Sequence, residues 1–194
     1  MDQTPGPVSG PAIDWNRPWF EPWRAPGEPV LRRAAAGLAL HQALNEQGGA
    51  PVRFVDASTL PVDEPYERYI FDSGNCPTRR NLHDFFNGLC WLRLPRSKQR
   101  LNALQAGQIV GAGVGAERGP LRDAITVFDE NGALLQAPPA LWDALLARDW
   151  RRLFVDLRPL WRQARVVVSG HALLEKLVTP RKEITAHVWA ADAV

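Results

Sequence analysis

Prolines near the start of the chain restrict what its first thirty residues can fold into. Seven of the 17 prolines lie within residues 1–30, and a proline inside a helix removes a backbone hydrogen bond and clashes with the preceding turn. The same segment contains four aromatic side chains, Trp15, Trp19, Phe20 and Trp23. We therefore predict an extended Pro/Trp-rich arm over residues 1–29, fixed by burial of rings that each contribute about 2 kcal/mol. Packing of this arm on its own domain is favoured over binding to a partner, which stays open.

Residues 30–194 have the composition of one compact domain. Apolar residues make up 45% of the chain and charged residues 23%, which are ordinary values for a globular domain. Helices are predicted over residues 30–47, 81–94 and 95–107 and in two segments between 139 and 161, and strands over residues 52–55, 165–169 and 183–189. The segment AITVFDENGALLQ, residues 124–136, is predicted as a hairpin because two apolar runs flank turn residues. Since strands and helices do not alternate strictly, we predict a single compact α+β domain, mostly helical with a small mixed or antiparallel sheet.

Charge, cysteines and apolar run lengths limit the partners and the compartment. The formal net charge of +2 is too small to argue for nucleic acid, which we consider an unfavoured partner. No apolar run approaches the roughly 18 residues of a membrane helix, so we predict no membrane association. Cys76 and Cys90 form no C-x-x-C pair, and the N-terminal sequence lacks a signal-peptide pattern. These features predict a cytoplasmic, bacterial-type protein with free thiols and leave its oligomeric state open.

The segment PTRRNLHDFFNGLCW places polar residues among large apolar ones. Asn81 can cap a helix, in which His83 and Asn87 share a face and Asp84 lies on the adjacent stripe. Arg79 precedes the helix N-terminus, where a guanidinium and free N–H groups together favour an anion. We predict catalytic roles for His83 and Asp84 and substrate binding by Arg79, Asn81 and Asn87. A polar network that only braces neighbouring loops is an equal alternative.

A second pair of candidate residues lies in SGHALLEKLVTP, where His171 opens a helix directly after a strand. Glu175 follows one turn later on the same face. A histidine and a carboxylate at this spacing can bind a divalent metal, or can act as a base and its orienting acceptor. We predict catalytic roles for both, with His83, His171 and Glu175 as metal ligands if a metal is used. A solvated helix face is the structural alternative.

Three further residues are predicted to bind substrate: Lys98, Arg122 and Asp123. Arg122 and Asp123 stand directly before the first strand of the predicted hairpin. The turn of that hairpin contains Asp129 and Glu130, which are explained by local turn chemistry and receive no functional role.

Three blocks in order along the chain resemble a known family. PTRRNLHDFFNGLCWLRLPRSKQRLN, RDAITVFDENGALL and GHALLEKLVTPRKEITAH are similar to a bacterial family catalogued as domain of unknown function 3025. The resemblance covers residues from about Trp15 to His187, and it implies no activity, cofactor or partner. A looser similarity, from Asn81 to Lys98, links the chain to HNH-type nucleases, but the preceding strand lacks their D-H pair and no roles are transferred.

These residues together predict a polar pocket that requires two distant helix starts to meet. The most concrete function is a metal-assisted hydrolase that acts on a small anionic substrate such as a phosphoester. A metal-free acid–base site with the same residues is its variant. The alternatives are a binding module that holds an anionic metabolite without turnover, a structural or interaction protein, and, more remotely, an HNH-like nuclease.

Overall fold

The computed structural model describes residues 8–112 and 119–191, and within them the chain is a helical α+β domain. The helices are Glu21–Ala35 (α1), Leu40–Asn45 (α2), Tyr66–Ser73 (α3), Leu82–Arg93 (α4), Pro95–Ala112 (α5), Pro120–Asn131 (α6), Pro139–Leu146 (α7) and His171–Lys176 (α8). The strands are Arg53–Asp56 (β1), Asn75–Thr78 (β2), Gly132–Gln136 (β3), Arg165–Val168 (β4) and His187–Ala190 (β5). The predicted fold class is confirmed.

The strands form two small sheets. β1 and β2 pair in parallel, with Arg53 opposite Asn75. In the second sheet β3 lies between β4, which is antiparallel to it, and β5, which is parallel to it. The predicted mixed sheet is therefore present, accompanied by a separate parallel pair. None of the helices in the described ranges is long and apolar enough to cross a membrane.

Helix α4 runs through the centre of the core. From Leu82 to Trp91 every residue except His83 is buried. Asn81 caps the helix, because its side-chain oxygen accepts the backbone N–H of Asp84 at 2.7 Å. The apolar faces of α1, α2 and α8 pack on α4 in one hydrophobic cluster. This burial explains why the helix does not sort its polar and apolar residues onto opposite faces.

The predicted extended arm is wrong from Pro18 onward. Residues Pro18–Phe20 form a 3₁₀ turn, and α1 then runs through the predicted boundary at residue 29 with Pro26 and Pro29 inside it. Burial of Phe20 and Trp23, which are both 0% exposed, offsets the hydrogen bonds that the prolines remove. The indole of Trp23 also donates to the carbonyl of Val168 at 3.1 Å. The described residues of this segment therefore pack on their own chain.

The predicted hairpin over residues 124–136 is also wrong in its first half. Residues Pro120–Asn131 are helix α6, and only Gly132–Gln136 is a strand. Pro120 suits a first helical turn, and Ile125 and Asp129 are buried one turn apart on the same face. The predicted helix over residues 30–47 is two helices, separated around Gly37, whose φ is +104°.

Residues 137–164, which we call the insert, connect β3 to its antiparallel neighbour β4. The insert contains α7, a π-helical turn over Arg152–Asp156 and a 3₁₀ segment over Arg158–Gln163. It has a small core of its own around Leu141, Ala144 and Leu153. The apolar residues packed on that core all belong to the insert, which therefore stabilises itself locally.

Glycine is required at position 170, where the start of α8 meets the end of α6. The N–H of Gly170 donates to the carbonyl of Gly132 at 2.8 Å. A Cβ at residue 170 would clash with the backbone of Glu130 and lie 2.6 Å from the backbone nitrogen of Asn131. Backbone cannot rotate away as a side-chain end can, so α8 would have to move.

Gly170→Ala should therefore lower the free energy of unfolding by about 2 kcal/mol or more, measured by urea denaturation. Gly107→Ala is the matched control, because residue 107 is exposed, has no neighbour within 4 Å of an added Cβ and lies in α5. That control should gain up to about 1 kcal/mol from helix propensity. Equal stabilities of the two variants would contradict this account of the helix junction.

Candidate functional site

The starts of α4 and α8 bring two histidines together at the wall of a cavity. Nε2 of His83 lies 3.2 Å from Nε2 of His171, and the two rings meet edge to face with centroids 4.6 Å apart. These residues are separated by 88 positions in the sequence. The structure thus brings together the two imidazoles on which the predicted pocket depends.

The hydrogen bonds around the pair determine which nitrogens carry protons. Nδ1 of His171 lies 2.9 Å from the backbone carbonyl oxygen of Asp129, and a carbonyl only accepts, so Nδ1 carries the proton of neutral His171. Its Nε2 is then a lone-pair acceptor, and Nε2 of His83 must be the donor. Nδ1 of His83 lies 3.0 Å from Oε2 of Glu175. Oε2 of an ionised Glu175 only accepts, so Nδ1 of His83 is placed to donate to it.

Burial keeps His171 neutral at pH 7. Its side chain is 7% exposed, and desolvation of the charged ring is the main cause that lowers its pKa from 6.5 to about 4. Asp129 opposes this shift, while Lys98 and His83 add to it. The pair therefore consists of a buried neutral imidazole that accepts and a second imidazole, with a side chain one-third exposed, that donates.

The lowered pKa of His171 predicts an acid-sensitive fold. Between pH 6.5 and about 4 the unfolded chain binds a proton at residue 171 that the folded chain does not bind, so stability falls as the pH falls through this window. We expect wild type to lose about 3 kcal/mol across it from this group. Urea denaturation of His171→Gln should show a loss about 3 kcal/mol smaller than that of wild type between the same two pH values. Parallel pH profiles for the two proteins would contradict the prediction.

Lys98, which was predicted to bind substrate, is buried in an ion pair and does not line the cavity beside the histidines. Its ammonium lies 2.7 Å from Oδ1 and 2.8 Å from Oδ2 of Asp129, and both side chains are less than 10% exposed. Burial alone would raise the pKa of Asp129, but the charge and hydrogen bonds of Lys98, together with His171 and His83, hold that pKa below its usual range. Asp129 thus fixes the position of Lys98 and, through its backbone, that of His171.

Arg79 and Asp84 form a bidentate pair at the start of α4. The guanidinium donates to both carboxylate oxygens at 3.0 and 2.9 Å, and the backbone N–H of Arg79 donates to Oδ2 at 2.6 Å. Asp84 is therefore occupied by Arg79 and is not placed as the predicted general base. Asn81 caps the helix and does not line the cavity. The structure thus gives Asn81 a structural role, and it gives no support to the predicted role in substrate binding.

The cavity beside the two histidines has a volume of about 300 Å³. Predicted site residues on its wall are Arg79, His83, Asp84, Asn87, Arg122 and His171. Glu175 contacts His83 from outside this wall, and Asp123 is exposed and does not line the cavity. The structure therefore assembles part of the predicted set and leaves Asp123 apart from it.

Two polar atoms of the cavity-lining residues are buried without a hydrogen-bond partner in the structure. They are Nε of Arg122 and Oδ1 of Asn87. A buried polar atom without a partner costs about 1–3 kcal/mol. A ligand or water that offers an acceptor to Arg122 and a donor to Asn87 would remove this cost, so the cavity suits a polar occupant.

Sequence reasoning missed several residues on the cavity wall, among them Tyr66, Glu67 and Asp129. Burial raises the pKa of the Tyr66 phenol, which accepts from Nδ2 of Asn87 at 3.1 Å. Burial also raises the pKa of Glu67. No local motif marks Tyr66 or Glu67, while a helical reading of residues 120–131 would have placed Asp129 on the same face as Ile125.

Cys76 and Cys90 are both free and buried. Burial raises the pKa of Cys76 and of Cys90 to about 12, so both remain thiols at neutral pH, and the thiolate is the reactive form. The free thiols predicted from the sequence are therefore present, and the histidines are the better candidates for catalysis.

The geometry gives no support to the metal site predicted from His83, His171 and Glu175. His83 presents Nε2 to His171 and the opposite ring nitrogen, Nδ1, to Glu175. The three side chains therefore do not face one common point. Over residues 8–112 and 119–191 there is no group of three histidine, cysteine or acidic side chains that could hold a metal ion.

The fold and the cavity define a compact α+β domain with a hydrogen-bonded histidine pair at a polar pocket. A family model described as Protein of unknown function (DUF3025) matches residues 52–194. The chain belongs to this family, as the three sequence blocks predicted. No curated protein and no solved structure matches the chain.

Proposed function

We propose that the chain is an acid–base enzyme that acts on a small anionic substrate, most concretely a phosphoester hydrolase that uses its two histidines rather than a metal. The observation that carries the proposal is the 3.2 Å contact between Nε2 of His83 and Nε2 of His171 at the cavity wall. Hydrogen bonding makes one imidazole a proton donor and the other a proton acceptor. A donor and an acceptor side by side are what general acid–base catalysis requires.

The two histidines divide the proton transfers of a hydrolysis. When substrate enters, its oxygen atoms replace the bond between the imidazoles. Nε2 of His171 accepts a proton from the attacking water, whose oxygen bonds to phosphorus. Nε2–H of His83 protonates the leaving oxygen as its bond to phosphorus breaks. Glu175 accepts from Nδ1 of His83, and the carbonyl of Asp129 holds His171 in the required tautomer.

Two arginines on the wall supply the attraction for an anion. Nε of Arg122 has no hydrogen-bond partner in the structure, and Arg79 retains N–H donors beyond the two that it gives to Asp84. Guanidinium groups bind phosphate oxygens at good geometry. A cavity of about 300 Å³ lies at the small end of the usual range for ligand sites, which favours a compact substrate.

A panel of aryl phosphomonoesters and phosphodiesters tests the proposal, with and without a chelator. We expect turnover of at least one class that the chelator does not reduce. Turnover that the chelator abolishes and added metal restores would contradict the metal-free form. No turnover of any member, together with phosphate binding in the cavity, would favour the binding module over the enzyme.

The binding module is the second candidate, and the unpartnered atoms of Arg122 and Asn87 favour it. Millimolar inorganic phosphate should raise the melting temperature of wild type, because a ligand that binds only the folded state stabilises it. The shift should be abolished in Arg122→Gln and kept in Arg96→Gln, which changes an exposed arginine of α5 outside the cavity wall. Equal shifts in all three proteins would show that phosphate binds elsewhere.

Two other sequence-based predictions concern location and family. The cytoplasmic location predicted from the N-terminal sequence stays a prediction. The HNH-like alternative gains no support, because Lys98 at the end of the similar segment is buried against Asp129.

A further inference from the structure

The insert exposes a group of large apolar side chains that do not pack into its small core. Leu146 is 76% exposed, Trp150 55%, Phe154 56% and Val155 63%. All four lie within ten consecutive residues of the chain. Single exposed apolar residues are ordinary, whereas a local group of them marks an interaction surface.

Arginines lie close to these side chains, and Arg158 and Arg162 line the same surface depression as Phe154 and Val155. In the insert, the exposed arginines without an ion pair in the structure are Arg148, Arg151, Arg152, Arg158 and Arg162. The insert also contains the exposed Asp143, Asp149 and Asp156, so its five arginines and three aspartates give it a formal net charge of +2 beside the apolar side chains.

The rings of this surface favour insertion into an apolar layer over stacking with bases. Phe154 stacks on Trp150 at 6.4 Å and on Trp161 at 5.9 Å, with interplanar angles of 15° and 7°. Ring faces that already contact each other are less available to nucleic-acid bases. The aliphatic side chains of Leu146 and Val155 cannot stack on bases, but their transfer from water into a lipid interface is favourable.

We propose that the insert binds the surface of a bilayer that contains anionic lipids. Leu146, Trp150, Phe154 and Val155 enter the boundary between headgroups and acyl chains, and the arginines bind lipid phosphates. The insert can do this without unfolding, because its own core around Leu141, Ala144 and Leu153 holds it together. The predicted absence of membrane contact rested on apolar run length, which tests for spanning helices and not for surface binding.

Co-sedimentation with vesicles tests this proposal on the full chain. Wild type should sediment with phosphatidylcholine vesicles that contain phosphatidylglycerol, less with pure phosphatidylcholine, and less as salt increases. Arg158→Glu with Arg162→Glu should lower the partition coefficient about 30-fold or more, since each basic residue near an anionic surface contributes about 1 kcal/mol. Leu146→Asn with Val155→Asn should also reduce binding, and both positions are exposed enough to preserve the fold.

Arg96→Glu with Arg100→Glu is the matched control, because it makes the same charge change at exposed positions of α5. It should retain most of the wild-type binding. Equal loss in the control would overturn the proposal in favour of non-specific charge attraction. Failure of wild type to sediment with anionic vesicles at low salt would also overturn it, and binding of a labelled single-stranded oligonucleotide in that case would assign the surface to nucleic acid.

Discussion

Replacing Lys98 with methionine should lower the free energy of unfolding by about 3–5 kcal/mol, the range measured when one partner of a buried ion pair is removed. The Lys98 ammonium donates to both carboxylate oxygens of Asp129, and both side chains are less than 10% exposed. Methionine keeps most of the length of the side chain but leaves the carboxylate buried without a counter-charge. Urea denaturation at pH 7 measures the loss.

Three further proteins make the Lys98 experiment specific. Lys98→Met combined with Asp129→Asn should recover much of the loss, because the uncompensated charge is gone, and the coupling energy comes from the double-mutant cycle. Lys176→Met, at an exposed lysine of α8, should change stability by less than about 0.5 kcal/mol. A Lys98→Met protein as stable as wild type would contradict the buried pair.

The pH dependence of Lys98→Met has a defined sign. Burial raises the pKa of Asp129 once the lysine no longer opposes it. The folded variant then takes up a proton at a pH where the unfolded chain is already ionised. Its stability should therefore fall as the pH rises through the shifted pKa, opposite to the direction in wild type. A defect that is constant with pH would point to altered packing instead.

Replacing His171 with glutamine should lower kcat/KM for the best phosphoester by roughly a hundred- to ten-thousand-fold, the range of a lost general base or acid. A glutamine N–H can still donate to the carbonyl of Asp129, so the fold should be retained, as circular dichroism would check. His83→Gln should cause a loss of the same order. The double variant should be little worse than either single one, because residues that act as a unit are not additive.

Controls separate catalysis from general damage. His41→Gln removes an imidazole that does not line the cavity and should leave kcat/KM within about twofold, since no step in the proposed mechanism uses it. Glu175→Gln replaces the carboxylate that lies 3.0 Å from Nδ1 of His83 and should lower kcat/KM, because His83 is then held less firmly. Equal losses in His41→Gln and His171→Gln would contradict the proposed roles.

The local signals in the sequence identified the elements that carry the two histidines. The Asn81 cap and the strand before His171 were sufficient to place the starts of α4 and α8. The contact between them depends on packing across 88 positions, which single-sequence patterns do not encode. The sequence analysis could therefore state only that a shared pocket would require this contact.

The errors came from tertiary packing that overrides local preference. DENG is a turn signal, but the apolar spacing before it made Pro120–Asn131 a helix and brought Asp129 into the core. A lysine such as Lys98 is expected at the surface, and its burial depends on Asp129, which lies 31 positions away in the sequence. Prolines at 26 and 29 argue against a helix, yet the burial of Phe20 and Trp23 stabilises one.

The protonation states of the two imidazoles test the central claim most directly, and nitrogen NMR of labelled protein measures them. At pH 7 we expect His171 to be neutral with its proton on Nδ1 and to accept at Nε2 from a proton on Nε2 of His83. His171→Gln and His83→Gln assign the signals. A His171 ring with its proton on Nε2, or a His83 ring without a proton on Nε2, would contradict the account of a paired donor and acceptor.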